Sequence, residues 1–281
     1  MNIGARNLVI GYAHGGMVHE YFMRCMLEFQ FYDQRGRKLL HSSIGAMGPE
    51  ITDNRNRICT KFLSLPSTVE WLLMADTDIV FKPEWVYRLL DHKRDIMSGL
   101  YFGRPGTTGN LAPIWYERIP HDNDFDEVRI VSVITAETPQ RLEACGMGFC
   151  LIHRKVLEAF PTEPDPFWRW FGRDLYQTNG TPTRISEDLT FCYRARKLGF
   201  EVYGDATVRL AHLKTTALDW DFFVRENGAA FGLRESAGQA PEFARGSGMV
   251  QLDDSRPGPA EQPRRNLGPQ LIASAVRNGT I

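Results

Sequence analysis

Residues 71–78 read Trp71-Leu72-Leu73-Met74-Ala75-Asp76-Thr77-Asp78. Five apolar residues in succession, without the alternation of a half-exposed strand, are the pattern of a strand covered on both faces, as in a parallel sheet. The run then stops at an acid. In extended backbone residues i and i+2 share a face, so Asp76 and Asp78 are expected to converge at the strand's carboxyl end. Two carboxylates there can hold a hard divalent cation and leave positions open for water and phosphate oxygens. Acids also end strands simply by accepting loop N–H bonds, and the triplet alone does not separate the two readings.

Working outward, the same alternation continues on both sides. Leu8-Val9-Ile10-Gly11-Tyr12 is a short apolar run followed by a helical pattern over Met17–Phe29. Lys38–Ile44 reads as a second strand, followed by a helical stretch through Ile58 and Leu63. Beyond the acidic triplet, Pro83 suits the first turn of a helix that Trp85–Leu90 continues, and Ile96–Tyr101 reads as a fourth strand. Strand–helix alternation of this kind predicts an α/β sheet with helices on both faces. Ligands of such sheets bind outside the carboxyl ends of the strands.

A second acidic pair lies far along the chain. Ser186-Glu187-Asp188-Leu189 opens a helical pattern that Gly199 closes in the position favoured after a helix end. Ser186 suits the N-cap, and acids in the first turn complement the helix dipole, which by itself accounts for all three residues. A short strand at Glu201-Val202-Tyr203 and then Val208-Arg209-Leu210-Ala211-His212 follow. A lone histidine is most often a surface or satisfied core residue. Near an oxygen-ligand site it becomes a candidate ligand for Mn2+, which accepts carboxylate and imidazole.

The chain has 281 residues, 43% apolar and 24% charged, with a formal net charge of −1. That is enough for one large domain or two small ones, and the balance excludes a polybasic protein held to its partner by counterion release. The start, Met1-Asn2-Ile3-Gly4-Ala5-Arg6, lacks the apolar stretch of a signal peptide, and no apolar run is long enough to span a membrane. The five cysteines, Cys25, Cys59, Cys145, Cys150 and Cys192, are odd in number and form no CxxC pair, so a reduced, cytoplasmic protein is expected. Residues 228–281 are rich in Gly and Pro and include Arg256-Pro257-Gly258-Pro259, which sustains neither helix nor central strand. Residues 1–227 are therefore read as the folded body, and 228–281 as a loosely structured or docking C-terminal extension.

Taken in order, these pieces resemble the GT-A glycosyltransferases, closest to the family 2-like enzymes of bacteria and bacteriophages. The resemblance runs through most of residues 7–213. It rests on Arg55-Asn56, Asp76-Thr77-Asp78, Ile96-Met97-Ser98-Gly99-Leu100-Tyr101, Ala144-Cys145-Gly146-Met147-Gly148-Phe149-Cys150-Leu151-Ile152-His153-Arg154, Ser186-Glu187-Asp188 with Phe191-Cys192, and His212. It implies a Rossmann-like GT-A fold with a mostly parallel central sheet. It implies a nucleotide-sugar donor, with Asp78 binding Mn2+ or Mg2+ and Asp76 touching the ribose or assisting at the metal, Thr77 beside them. His212 matches a position that contacts metal or diphosphate. Tyr12, Ala13 and His14 fall where the first strand meets the base, and Arg55 near the diphosphate. Gly146 and Gly148 lie beside the sugar, where small residues let the backbone approach closely, although a bulge or turn also accounts for them.

The chemistry the resemblance implies is sugar transfer from a nucleotide diphosphate. A cation neutralises charge on the leaving diphosphate, and a carboxylate takes the acceptor's proton. Asp188 is the candidate base, with Glu187 hydrogen-bonding sugar hydroxyls, and the reverse assignment stays open. A single base opposite the leaving group implies inversion at the anomeric carbon. The first-strand loop, Gly11-Tyr12-Ala13-His14-Gly15-Gly16, departs from the Pro-Thr/Ala-Tyr-Asn pattern common in family 2. UDP is the expected carrier, and GDP and dTDP stay open. The acceptor is unassigned between a protein hydroxyl, a glycan, a lipid-linked sugar and a nucleobase. Phe167-Trp168-Arg169-Trp170-Phe171 is either an acceptor platform or an aromatic plug, and loop 103–113 a candidate lid. Two alternatives remain: a non-catalytic nucleotide-sugar-binding module of this fold, and a sugar-nucleotide pyrophosphorylase, whose Gly-x-Gly-x-Arg loop this chain lacks.

Overall fold

The apolar runs of the sequence become the centre of one sheet. In the computed structural model, which describes residues 6–103, 111–118, 128–135, 139–162, 169–173, 175–178 and 181–214, strand β1 (Leu8–His14) leads to helix α1 (Glu20–Arg35), then β2 (Leu40–Met47) and α2 (Ile51–Leu63). They are followed by β3 (Trp71–Ala75), the short β4 (Ile79–Val80), α3 (Pro83–Asp91) and β5 (Ile96–Leu100). Helix α4 (Arg154–Ala159) follows the strand Phe149–His153, and α5 (Glu187–Lys197) precedes the strand Val202–Arg209. All of these lie in the compact unit Met1–Thr216. The extension 228–281, residues 104–110 of the expected lid, and Phe167 and Trp168 lie outside the described residues.

Seven strands form the central sheet in the order Gln140–Leu142, Val202–Arg209, β5, Phe149–His153, β3, β1, β2. The pairs β1–β2, β1–β3 and β5 with Val202–Arg209 are parallel, whereas Phe149–His153 runs antiparallel between β3 and β5. The fold is thus mixed α/β with a mostly parallel sheet, as expected. Alternation within β3 explains why its sequence is apolar throughout. Leu72 and Met74 enter a core with Ile58 and Phe62 of α2, Leu157 of α4 and Phe191 of α5. Leu73 and Ala75 enter the opposite core with Phe22 and Phe29 of α1 and Leu89 of α3. Each large side chain buried in this way contributes about 2 kcal/mol.

Several boundaries differ from the sequence reading for identifiable reasons. Helix α1 starts at Glu20, where the side chain of His19 caps by accepting from Tyr21 N, and continues past Phe29 to Arg35. Strand β2 starts at Leu40 because the buried carboxylate of Asp33 takes the N–H groups of Leu39 and Leu40, at 3.0 and 2.8 Å. The last long strand is one continuous element, Val202–Arg209, and the chain then turns back so that Ala211–His212 pairs antiparallel with β4. Among the described residues no helix is long and apolar enough to cross a membrane, and all five cysteines are free and buried.

Candidate active site

The acidic triplet does not continue the strand. Strand β3 ends at Ala75, and Ile79 N bonds back to Asp76 O at 3.1 Å, closing a turn over Asp76-Thr77-Asp78. The same-face expectation for Asp76 and Asp78 therefore fails, because it holds only in extended backbone. The two carboxylates have separate partners. Asp76 Oδ1 accepts from Arg55 Nη2 at 3.0 Å, whereas Asp78 Oδ2 meets His212 Nε2 at 3.3 Å and Lys214 Nζ at 2.6 Å.

Arg55 organises the first group. Helix α2 presents a buried polar stretch of Thr52, Asn54, Arg55 and Asn56 above the apolar Ile58, Cys59 and Phe62. The Arg55 side chain is 4% exposed and also bonds Glu187 Oε1 at 3.0 Å and Asp188 Oδ1. Burial opposes its charge, but Asp188, Asp76 and Glu187 more than compensate, so the guanidinium is held firmly protonated. One fork thus joins helix α2, the turn after β3 and the first turn of α5. Ser186 caps α5 by accepting from Leu189 N, as its sequence predicted, and this fixes where Glu187 and Asp188 start. Asp188 Oδ2 accepts from Met147 N at 3.2 Å. Burial, with the neighbouring Glu187 and Asp76 charges, outweighs Arg55 and lifts the Asp188 carboxyl to about 7.

Gly146 and Gly148 are packed by Tyr101. Gly148 N donates to the Tyr101 hydroxyl at 3.0 Å, and a Cβ on Gly148 would meet that oxygen at 2.8 Å and Asp76 Oδ2 at 3.2 Å. A Cβ on Gly146 would collide with the same hydroxyl and with Ile114. Tyr101 is buried, and burial together with Asp76 and Asp188 pushes its pKa well up, so the phenol stays neutral. Sequence reading placed this tyrosine at the end of an apolar strand, within a motif of the resemblance, but gave it no contact with Gly146 or Gly148.

At the ends of β1 and β2, the Tyr12 ring lies over Gly45, whose Cβ position is 3.1 Å from it, and stacks on His14 with centroids 6.0 Å apart. Ala13 is buried in the core and pairs with Ala46 in the β1–β2 ladder. His14 Nδ1 accepts from Gly16 N at 3.3 Å. Thr77 sits in the turn between the two acidic groups. Of the aromatic stretch, Trp170 and Phe171 are core residues. Asn56 binds the backbone of both, and Phe171 stacks on Phe191 at 4.8 Å, so for these two the plug reading holds.

Asp78 and His212 form the second group. His212 Nδ1 lies 2.8 Å from Phe102 O, so Nδ1 carries a proton and Nε2 faces Asp78. Burial would raise the Asp78 carboxyl, but His212 and Lys214 hold it at about 2, and Asp78 in turn raises His212. A carboxylate beside an imidazole whose other nitrogen is fixed by a carbonyl is a donor set that fits Mn2+. Among the described residues no group of three or more His, Cys, Asp and Glu side chains gathers as a metal site.

No protein-family model matches the chain, and no curated protein does. Solved structures give distant likenesses. A197 from STIV is 15% identical at a TM-score of 0.46, over 74% of this chain and 86% of that one. GalNAc-T7, solved with UDP, GalNAc and Mn2+, is 12% identical at 0.46 over 79% of this chain and 47% of its own, so this chain spans about half of it. The inositol-1-phosphate CTP transferase from T. maritima is 13% identical at 0.37, over 82% and 99%. Likenesses this distant carry no activity across, and the functional reading rests on the site's own geometry.

Proposed function

We propose that the chain is a metal-dependent glycosyltransferase that moves a sugar from a nucleotide-sugar donor, UDP-linked first among the carriers, to an acceptor hydroxyl with inversion. The observation that carries this reading is the Arg55-centred cluster, in which Asp188 is lifted to about 7 while a separate Asp78–His212 pair stands across the same turn. A general base works best with a pKa near the working pH, and burial beside Glu187 and Asp76 tunes Asp188 to that range.

In this reading the acceptor O–H bond breaks as its proton passes to the Asp188 carboxylate. The freed oxygen attacks the anomeric carbon, and the bond to the diphosphate oxygen breaks, its electron pair leaving with the nucleotide. Arg55 holds Asp188 in place and limits how far its pKa rises. Glu187, on the same guanidinium, is positioned to accept from sugar hydroxyls. Tyr12 and His14 border the base, and Gly148 brings backbone beside Asp76. A divalent cation held by Asp78 and His212, completed by substrate oxygens and water, would act as a Lewis acid on the departing diphosphate. The test is release of free nucleotide from a panel of UDP-, GDP- and dTDP-sugars with Mn2+. Binding of a donor without turnover under any acceptor, by wild type as by Asp188→Asn, would make the chain a binding module.

A further inference from the structure

The oxygen of Asp78 that faces His212 already has a cation on it. After Val202–Arg209 the chain reverses, Ala211–His212 pairs with β4, and Leu213 N donates to Asp78 O at 2.8 Å. That backbone bond sets Lys214 beside the carboxylate, and its Nζ lies 2.6 Å from Asp78 Oδ2, the atom that His212 Nε2 approaches to 3.3 Å. The anchor is firm: strand pairing, the Leu213 bond and the bond from His212 Nδ1 to Phe102 O all tie the segment down.

We infer that Lys214 is a built-in cation of this site, which occupies Asp78 in the metal-free protein and competes with the divalent ion for it. The inference rests on the reading of Asp78 and His212 as the metal-holding pair. An ammonium and a metal ion cannot share one carboxylate oxygen at contact distance without strong repulsion, so loading requires Lys214 to swing away. Its side chain is 59% exposed, so the pair is screened by water and the competition is modest. The expected cost to metal affinity is about tenfold, within the ordinary range of coupling between two bound ligands.

The experiment is calorimetric titration of the full chain with Mn2+ alone, for wild type, Lys214→Met, Lys214→Gln and Asp78→Asn. Both lysine variants are expected to bind Mn2+ about tenfold more tightly than wild type, with the difference shrinking as KCl is raised because exposed charges are screened. Equal or weaker binding in both lysine variants, while Asp78→Asn loses binding, overturns the competition and leaves the metal pair standing. Unchanged binding in Asp78→Asn overturns the metal pair itself, and the inference with it.

Discussion

Arg55 Nη2 donates to Asp76 Oδ1 over 3.0 Å, a bond from a helix to a strand-ending turn whose cation is almost wholly buried. Asp76 is thereby linked through Arg55 to Glu187 and Asp188. Removing the guanidinium would leave Asp76, Glu187 and Asp188 together without their common counter-charge. Breaking a buried pair from one side typically costs about 3 kcal/mol. Arg55→Ala is expected to lose about that much in urea denaturation, and Arg55→Lys to recover only part, since one ammonium cannot make the fork that reaches three carboxylates. A loss below about 0.5 kcal/mol for Arg55→Ala would show that the carboxylates disperse freely.

The raised Asp188 carboxyl gives two pH signatures. As a base it must be ionised, so kcat/KM should rise with pH through an apparent pKa near 7 and flatten above it. For stability the sign is opposite. With a folded pKa near 7 against a model value of 3.8, the folded state binds more protons between those limits, so this group's contribution falls as pH rises across that window. Asp188→Asn should remove the rate while leaving donor binding largely intact, and it should flatten this part of the Tm–pH curve. Transfer by Asp188→Asn at the wild-type rate would sink the base assignment.

Tyr101 and Gly146 make a testable steric pair. A Cβ at 146 meets both the Tyr101 hydroxyl and Ile114, so Gly146→Ala is expected to cost about 2 kcal/mol by overpacking. Tyr101→Phe frees part of that space but strips Gly148 N of its acceptor, at about 1 kcal/mol. The double variant should therefore be more stable than the sum of the two single losses predicts, which a double-mutant cycle in denaturant measures. Strict additivity would mean that Ile114 alone sets the limit at Gly146.

The sheet was legible because burial on both faces writes itself into residue type. Trp71–Ala75 is a strand with the bounds its composition implied, and Ser186 and Gly199 bracket α5 as capping chemistry requires. The side chains that meet around Arg55 and Asp78 were legible as residues but not as pairings. Asp76 and Asp78 separate because a turn replaces the extended backbone on which their convergence depended. Their partners lie far off in sequence, Arg55 in an earlier helix and Lys214 just past the strand Val202–Arg209. Nothing local distinguishes Lys214 from any exposed lysine. Its meaning comes from the antiparallel return of Ala211–His212 along β4, which is a tertiary event.

That return also defines the last prediction. Asp78 and His212 meet at 3.3 Å on two short paired strands, and each alters the other's protonation: His212 helps hold Asp78 at about 2, while Asp78 raises His212. If the pair holds the cation in the proposed reaction, each residue supplies one ligand, and the two losses should differ. Asp78→Ala removes the only anionic ligand of the pair and is expected to abolish Mn2+-dependent donor binding. His212→Ala keeps the carboxylate and should weaken that dependence by about ten- to a hundredfold, the range usual when support around a metal is lost. Donor affinity measured with Mn2+ and with EDTA separates the cases, because a variant that merely unfolds loses binding in both. Asp78→Ala with wild-type donor affinity in Mn2+ would show that the diphosphate is held without this carboxylate, and Arg55 would then be the residue to examine for its binding.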